Sequence, residues 1–455
     1  RPEASLSAAS GPPPRGPGER LLAELVKAAD AKDRDAAERL VRQLPEAPDP
    51  PSFELAVAGV HLNEAEFRDL AEQVFAELVR RDPSYALGHY ELGLLSIRDG
   101  RRHQAVDRFA RAADLAPHEF RYRLWLAHML HAVGAEEEGD RELEQLQPRS
   151  PGERAEAEVV RSFAAYLREF PQGRGQSLLQ TVKRRYDWID AGRLAGEIEA
   201  AIAERRPFAL IRLGDGEGAF AEIGPEDEAR YARLYGWMRQ DWVRFLFGPG
   251  FDPEATGYSA LTRTLMETAA EADVLGVPYP NWINHEYAIS SVRGLPCTLN
   301  IHRWLLAHPP ERAPMLCDQI VHIVLHNRGL IEPILRRAGR LTVISCLTGL
   351  CGLIQRRFGL DEVEFMAVPR EYTAPHLRDA EHVDGAPFPE VYNAVMERLA
   401  RPHAGRVFII AAGTLGKFYA MQIKRHGGIA LDLGSLVDGW MRLPSRAGYG
   451  EELAL

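Results

Sequence analysis

Residues 406–434 read RVFIIAAGTLGKFYAMQIKRHGGIALDLG. An apolar run, RVFIIAAG (406–413), breaks off at Gly413-Thr414-Leu415-Gly416. A helical stretch then spans Gly416–Arg425, and a second apolar run, GIALDLG (428–434), follows. Short apolar runs without polar alternation are strands covered on both faces, and strands joined through a helix run parallel. The same alternation continues upstream. PFALIRL (207–213) follows the amphipathic stretch Arg193–Glu204, DVLGVPY (273–279) follows Tyr258–Ala272, and LTVISCL (341–347) follows Gly329–Ala338. VEFMAVP (363–369) comes next, and Val391–Ala400 supplies the helix before the 406–413 run. Five or six strands of this kind, each bounded by Gly or Pro, predict an α/β domain built on a parallel sheet.

The expected arrangement is Rossmann-like and doubly wound. The strict G-x-G-x-x-G fingerprint is absent, so neither NAD nor FAD is implied. Ligands of open parallel sheets bind at the carboxyl ends of the strands. Polar residues collect there in this chain: Gly214-Asp215-Gly216-Glu217, then Asn281 to Glu286, Thr348, Arg370-Glu371-Tyr372, Thr414 to Lys417, and Ser435 with Asp438.

Asp215 and Glu217 stand at i and i+2 among glycines. In extended backbone their side chains share one face, and Gly214 and Gly216 would let a ligand approach the main chain. Two carboxylates on one face repel unless a cation lies between them. Mg²⁺ and Mn²⁺ prefer such hard oxygens and bridge them to phosphates. A glycine-rich turn carrying two solvated acids is the bland alternative. Gly413-Thr414-Leu415-Gly416-Lys417 is a separate pointer. Backbone N–H groups at a helix start attract phosphate, and Lys417 in a first turn is unfavourable unless an anion is bound. A plain strand–turn–helix joint is the competing reading, and the Walker spacing is not met.

The first third repeats itself. Pro83, Pro117 and Pro151 stand 34 residues apart, the tetratricopeptide period. Within that period Gly59 and Gly93 fall on the first helix of each unit, and Phe75 and Phe109 on the second. Ala127, Gly134, Leu143 and Leu146 continue the pattern less closely, Leu21–Leu44 holds a weaker unit, and a helix over Glu153–Phe170 caps the stack. A small residue lets two helices approach, an aromatic fills the gap, and proline stops the second helix. Such solenoids commonly bind a protein or peptide, and they also serve as architecture.

The expected organisation is multidomain: a Pro/Gly/Ser-rich lead-in at 1–18, an all-α tetratricopeptide-like solenoid at 19–178, and the α/β domain at 179–455. A formal net charge of −10 argues against nucleic acid as a partner. No apolar run approaches the roughly 20 residues of a membrane helix. No signal-peptide pattern stands at the start, which is Arg1 rather than Met. Cys297, Cys317, Cys346 and Cys351 form no C-x-x-C pair and no zinc spacing, which predicts buried thiols in a reducing, cytoplasmic setting. The inner face of a membrane is the alternative location.

Arg212-Leu213-Gly214-Asp215-Gly216-Glu217 resembles the R-x-G-D-G-E signature of the GT-D type glycosyltransferases, grouped around an Asp-x-Glu motif. The Gly413-x-x-Gly416-Lys417 helix and Leu431-Asp432-Leu433-Gly434 are similar to that family's closing segment. The resemblance covers roughly residues 180–445 and is anchored at its two ends. Ser435 departs from it, standing where a His is expected. The resemblance implies sugar transfer from a nucleotide diphosphate sugar with Mn²⁺ or Mg²⁺ held by Asp215 and Glu217. It further implies donor contacts from Arg212, Gly214, Gly216, Gly413, Thr414, Gly416, Lys417 and Asp432. An inverting enzyme also needs a base for the acceptor hydroxyl, for which His285, Glu286 and Glu371 are candidates at strand ends. Tyr279, Trp282 and Tyr372 could stack on a base or sugar, or simply pack. His322 and His326, at i and i+4, suit a metal but read better as a buried or interface helix. The acceptor would be a protein recruited by the repeats, or a lipid-linked or polysaccharide one, and a homodimer through the repeats stays open. A non-catalytic scaffold and a nucleotide hydrolase or phosphotransferase are the competing functions.

Overall fold

The computed structural model describes residues 16–455 apart from 49, 215, 375–376, 378–379, 444–452 and 454–455. Asp215 and most of the expected lead-in therefore lie outside the described residues. The chain divides into two units, one of residues up to Arg168 with Tyr287–Ser290, the other of Glu169–Glu286 with Ser291–Leu455.

The first unit is a run of helices: α1 (Pro17–Asp30), α2 (Arg34–Val41), α3 (Ser52–Glu64), α4 (Arg68–Arg81), α5 (Ala86–Arg98), α6 (Arg102–Leu115), α7 (Phe120–Ala132), α8 (Glu136–Glu144) and α9 (Pro151–Glu169). Helices α3 and α4, α5 and α6, and α7 and α8 pair as antiparallel hairpins, one per 34-residue period. Gly59 lies under the Phe75 ring and Gly93 under Phe109, so close that a Cβ at either would stand 2.6 Å from the ring. Phe75 and Phe109 are fully buried, and so is Ala127. Ala37, Val41 and Leu44 of the weaker unit are buried too. Pro83 and Pro117 follow α4 and α6 as helix stops, but Pro151 opens α9, at a position where its missing N–H costs nothing. The lead-in ends earlier than expected, because Pro17 already begins α1.

In the second unit, seven strands among the described residues form one parallel sheet: β1 (Phe208–Arg212), β2 (Val274–Val277), β3 (Met315–Asp318), β4 (Arg340–Ser345), β5 (Glu362–Ala367), β6 (Val407–Ile410) and β7 (Ile429–Asp432). Their order is β3-β2-β1-β7-β6-β4-β5. Register pairs Leu210 with Val274 on one side of β1 and with Leu431 on the other. All six strand segments read from the sequence are present, and β3 is an addition. Helix Gln172–Arg185, which the expected boundary at 178/179 divides, packs in this unit on helix Gly294–Ala307. It buries Leu179 and Val182 there, so its apolar face belongs to the α/β core. No helix among the described residues is long and apolar enough to cross a membrane. The cysteines are unbridged; Cys297 and Cys317 are buried, whereas Cys346 and Cys351 are only partly so.

Candidate active site

The sheet reverses direction of winding at the β1–β7 junction, and the carboxyl ends of the strands on both sides open into one cavity of about 360 Å³. β1 delivers Arg212, Gly214 and Glu217, and β7 delivers Asp432, Gly434 and Ser435. β6 delivers Ala411 to Leu415 and Lys417, and β5 delivers Val368 to Glu371.

A chain of alternating charges forms the floor. The Arg212 backbone N–H donates to Asp432 Oδ2 at 3.1 Å, and its Nε donates to the Asp432 carbonyl at 2.9 Å. Arg212 Nη1 lies 3.0 Å from His322 Nε2. Lys417 Nζ donates to Asp432 Oδ2 at 2.8 Å and stands 3.4 Å from Glu217 Oε1. Glu217 Oε2 accepts the Gly214 N–H at 2.9 Å. All four side chains are buried. Burial works against the Lys417 ammonium, yet Asp432 and Glu217 outweigh it and hold its pKa above the usual lysine value. Burial likewise opposes ionisation of Asp432, but Lys417 and Arg212 prevail and keep the carboxyl below its ordinary range. Lys417 and Asp432 thus face each other as an ion pair at neutral pH.

Glu217 reaches this position through a turn, not a strand. Gly216 has right-handed helical dihedrals and Glu217 opens a 3₁₀ turn, Glu217–Phe220. The extended geometry expected for the Asp215/Glu217 pair is therefore absent at Glu217. The local glycines also serve a different end. A Cβ at Gly216 would collide with the Trp242 indole, and one at Gly218 with the Cys297 carbonyl. Both glycines admit neighbouring groups, and Gly216 also lines the cavity. Gly416 is similar: it lies in the first turn of helix Leu415–Arg425 against Ile410, off the cavity wall. Gly413 and Thr414 do line the cavity, and Thr414 Oγ1 accepts the Trp242 indole N–H at 3.4 Å.

The other expected residues divide. Glu371, Ser435 and Asp438 line the cavity. His285 and Glu286 do not: both ride on helix Pro280–Ala288, His285 exposed and Glu286 buried. Trp282 packs near His285, with ring centroids 5.8 Å apart, and Tyr372 is 61% exposed beside Gly248. His322 and His326 turn to different partners, the first to Arg212 and the second to the Trp440 indole N–H at 3.2 Å, so they do not assemble a metal pair.

The wall residues outside the sequence expectation include Trp242, Arg293 and Gln319. Trp242 stacks on Phe245 at 5.1 Å, Arg293 places its guanidinium 5.4 Å from the Trp242 ring, and Gln319 follows β3. The first two sit on or beside helices and carry no strand-end signal. Gln319 was hidden with its strand.

Among the described residues, no group of three or more His, Cys, Asp and Glu side chains is arranged to hold a metal ion. The charges of the wall still suit one. Arg212, Arg293, Arg370 and Lys417 face Glu217, Glu371, Asp432 and Asp438, four cations against four carboxylates. Arg293 and Arg370 are also paired outward, with Asp241 at 2.8 Å and Asp384 at 2.9 Å, so the wall and its surroundings carry an excess of carboxylate. Lys417 sits closer to Asp432 than to Glu217, so Glu217 Oε1 is the carboxylate oxygen it holds less tightly.

No protein-family model matches the chain. No curated protein matches it either. Among solved structures the chain is similar to a mutant of MamA, at 16% identity over 34% of this chain and 88% of that one, with a TM-score of 0.25. It is also similar to a mutant O-GlcNAc transferase of Thermobaculum terrenum, at 14% identity over 93% of this chain and 77% of that one, with a TM-score of 0.23. At such TM-scores neither likeness bears on activity, which has to be argued from the site.

Proposed function

We propose that the chain is a glycosyltransferase that moves a sugar from a nucleotide diphosphate sugar to an acceptor, and that its helical repeats recruit a protein or peptide acceptor. The observation that carries this is the buried Arg212–Asp432–Lys417–Glu217 quartet at the β1–β7 junction, beside the start of helix Leu415–Arg425. A helix start with Gly413 and Thr414 on the wall suits a phosphate. Arg212 and Lys417, fixed by Asp432, hold positive charge where the leaving diphosphate gains negative charge, and pre-set charge of this kind lowers the barrier. Asp215 and Glu217 would hold Mn²⁺ or Mg²⁺, which supplies further charge to the departing diphosphate. The O-GlcNAc transferase match names a glycosyl transfer, in keeping with this proposal without supporting it.

The test is a thermal-shift panel of UDP, GDP, ADP, CDP and dTDP, with and without Mn²⁺, on wild type and on Asp215→Asn/Glu217→Gln. Glutamine at 217 keeps an acceptor for the Gly214 N–H, so loss of fold is avoided. A ligand at 100 times its dissociation constant adds about 2.7 kcal/mol of stability. A Mn²⁺-dependent shift with one diphosphate, lost in the double variant, is the expected result. No shift with any nucleotide would sink the transferase and leave the scaffold reading. Turnover of the nucleotide alone, with phosphate released, would favour a hydrolase or phosphotransferase.

A further inference from the structure

Helix Ala232–Phe247 carries Trp242 and Phe245 three residues apart, on one face, and both line the cavity. Their rings stack, with centroids 5.1 Å apart and planes within 10° of parallel. Trp242 has several further neighbours. The Arg293 guanidinium lies over its ring at 5.4 Å, Gly216 packs against its edge, and its N–H donates to Thr414 Oγ1 at 3.4 Å. Phe245 is only partly buried, and among the described residues Trp242 is its one ring partner. The stack therefore ends at the cavity wall in a ring that carries no further flat group.

The other aromatic rings of the wall are paired elsewhere. Phe247 stacks on Phe251 at 4.2 Å and meets Tyr258 edge-on at 4.7 Å, and Tyr419 stacks on Tyr392 at 5.7 Å. Tyr279, Trp282 and Tyr372, the rings that the sequence offers for stacking, do not line the cavity. Phe245 is also held firmly. Its carbonyl accepts the Thr373 N–H at 3.0 Å, and the next carbonyl, of Leu246, accepts the Tyr372 N–H at 2.9 Å. A ring fixed in this way loses little freedom when a ligand settles on it.

The stack is tied to the phosphate end of the site through Trp242. Its indole N–H bonds Thr414, in the turn before helix Leu415–Arg425, and Phe245 stands one ring beyond it. A nucleoside diphosphate held by its phosphates at that turn has its base one ribose away. Resting on the nucleotide diphosphate sugar reading, we propose that Phe245 is the platform on which the nucleobase of the donor stacks. Stacking on an aromatic side chain tolerates any base, because every base has a π-face. Its signature is therefore the difference between a nucleoside diphosphate and inorganic pyrophosphate, which has no base.

The experiment is calorimetric titration of the full chain, with Mg²⁺, by UDP, GDP, ADP, CDP and dTDP and by inorganic pyrophosphate. It is run on wild type, Phe245→Leu and Phe245→Tyr. Wild type should bind at least one nucleoside diphosphate more tightly than pyrophosphate. Phe245→Leu keeps an apolar side chain without the flat ring, and should weaken that nucleoside diphosphate by roughly 5- to 150-fold. Its affinity for pyrophosphate should stay within about twofold of wild type, which also shows that the variant folds and keeps its phosphate end. Phe245→Tyr keeps the ring and should bind both ligands as wild type does. Equal weakening of nucleoside diphosphate and pyrophosphate in Phe245→Leu would make the ring a support for Trp242 and overturn the proposal. Unchanged nucleoside diphosphate affinity in Phe245→Leu would overturn it too. A wild type that binds pyrophosphate as tightly as every nucleoside diphosphate would remove the base platform and leave the phosphate end standing. A wild type that binds neither would remove the nucleotide reading and the platform with it, an outcome seen without any variant.

Discussion

Lys417 is the residue on which the site's electrostatics turn. It is 5% exposed and touches both Asp432 and Glu217. It is buried in the first turn of helix Leu415–Arg425, and Lys417→Met keeps an unbranched side chain there while removing the charge. Asp432 is then left with Arg212, and Glu217 with the Gly214 N–H. Breaking a buried pair from one side costs about 3–5 kcal/mol, because the remaining charge is stranded, whereas replacing both partners by apolar groups is often nearly neutral. Urea unfolding of Lys417→Met should show a loss in that range, and Lys417→Met/Asp432→Leu should recover part of it. A loss under about 1 kcal/mol for the single variant would mean that the quartet is not a coupled unit. At this scale the sequence was informative about identity and not about role. Arg212, Glu217, Lys417 and Asp432 were all singled out, but the pairing of Lys417 with Asp432 spans 15 residues and a helix. Gly214 and Gly216, read as giving a ligand access to the main chain, do line the cavity, but that Gly216 and Gly218 also make room for Trp242 and the Cys297 carbonyl is revealed only by tertiary packing.

The elements follow their sequence periods closely, and the exceptions have local causes. β3 escaped because Met315–Asp318 is four residues long, polar at one end and only partly buried at both, so it lacks the continuous apolar signature. The helix-to-helix spacing of the repeats was legible because glycine and phenylalanine recur together at a fixed distance. That interlock can be tested within one hairpin. Gly93 in α5 lies against the Phe109 ring of α6, and a Cβ there would approach three ring carbons within 2.9 Å. Valine at 93 gains a few tenths of a kcal/mol of helix propensity over glycine but overpacks the contact by about 1–3 kcal/mol. Hydrogen exchange of the Arg102–Leu115 amides should therefore speed up in Gly93→Val, by roughly 3- to 100-fold once the propensity gain is subtracted. Gly93→Val/Phe109→Leu should restore part of the protection. Unchanged exchange in Gly93→Val would show that the ring has room to move aside.

For the whole molecule, stability should depend on pH through a histidine remote from the cavity. His128, in α7 of the helical unit, is 2% exposed. Its Nε2 lies 3.0 Å from the Ser290 carbonyl, which requires Nε2–H to donate, while Nδ1 has no partner among the described residues. Burial dominates and lowers its pKa to about 4, against the pull of the Ser290 carbonyl. In the unfolded chain the same imidazole titrates near 6.5. The unfolded state therefore takes up the proton first as pH falls. The contribution of His128 is fully present above about pH 6.5, shrinks by up to about 1.4 kcal/mol per unit below that, and levels off near pH 4, after a total of about 3 kcal/mol. His128→Gln keeps an N–H donor for Ser290 and removes the titration. Other groups titrate in the same window, so the informative quantity is the difference between the two proteins. Unfolding of the helical unit, followed by hydrogen exchange in α7 between pH 7 and 5, should lose stability more steeply in wild type than in His128→Gln. Parallel curves would mean that the His128 ring is solvated in the native state and that Tyr287–Ser290 does not cover it.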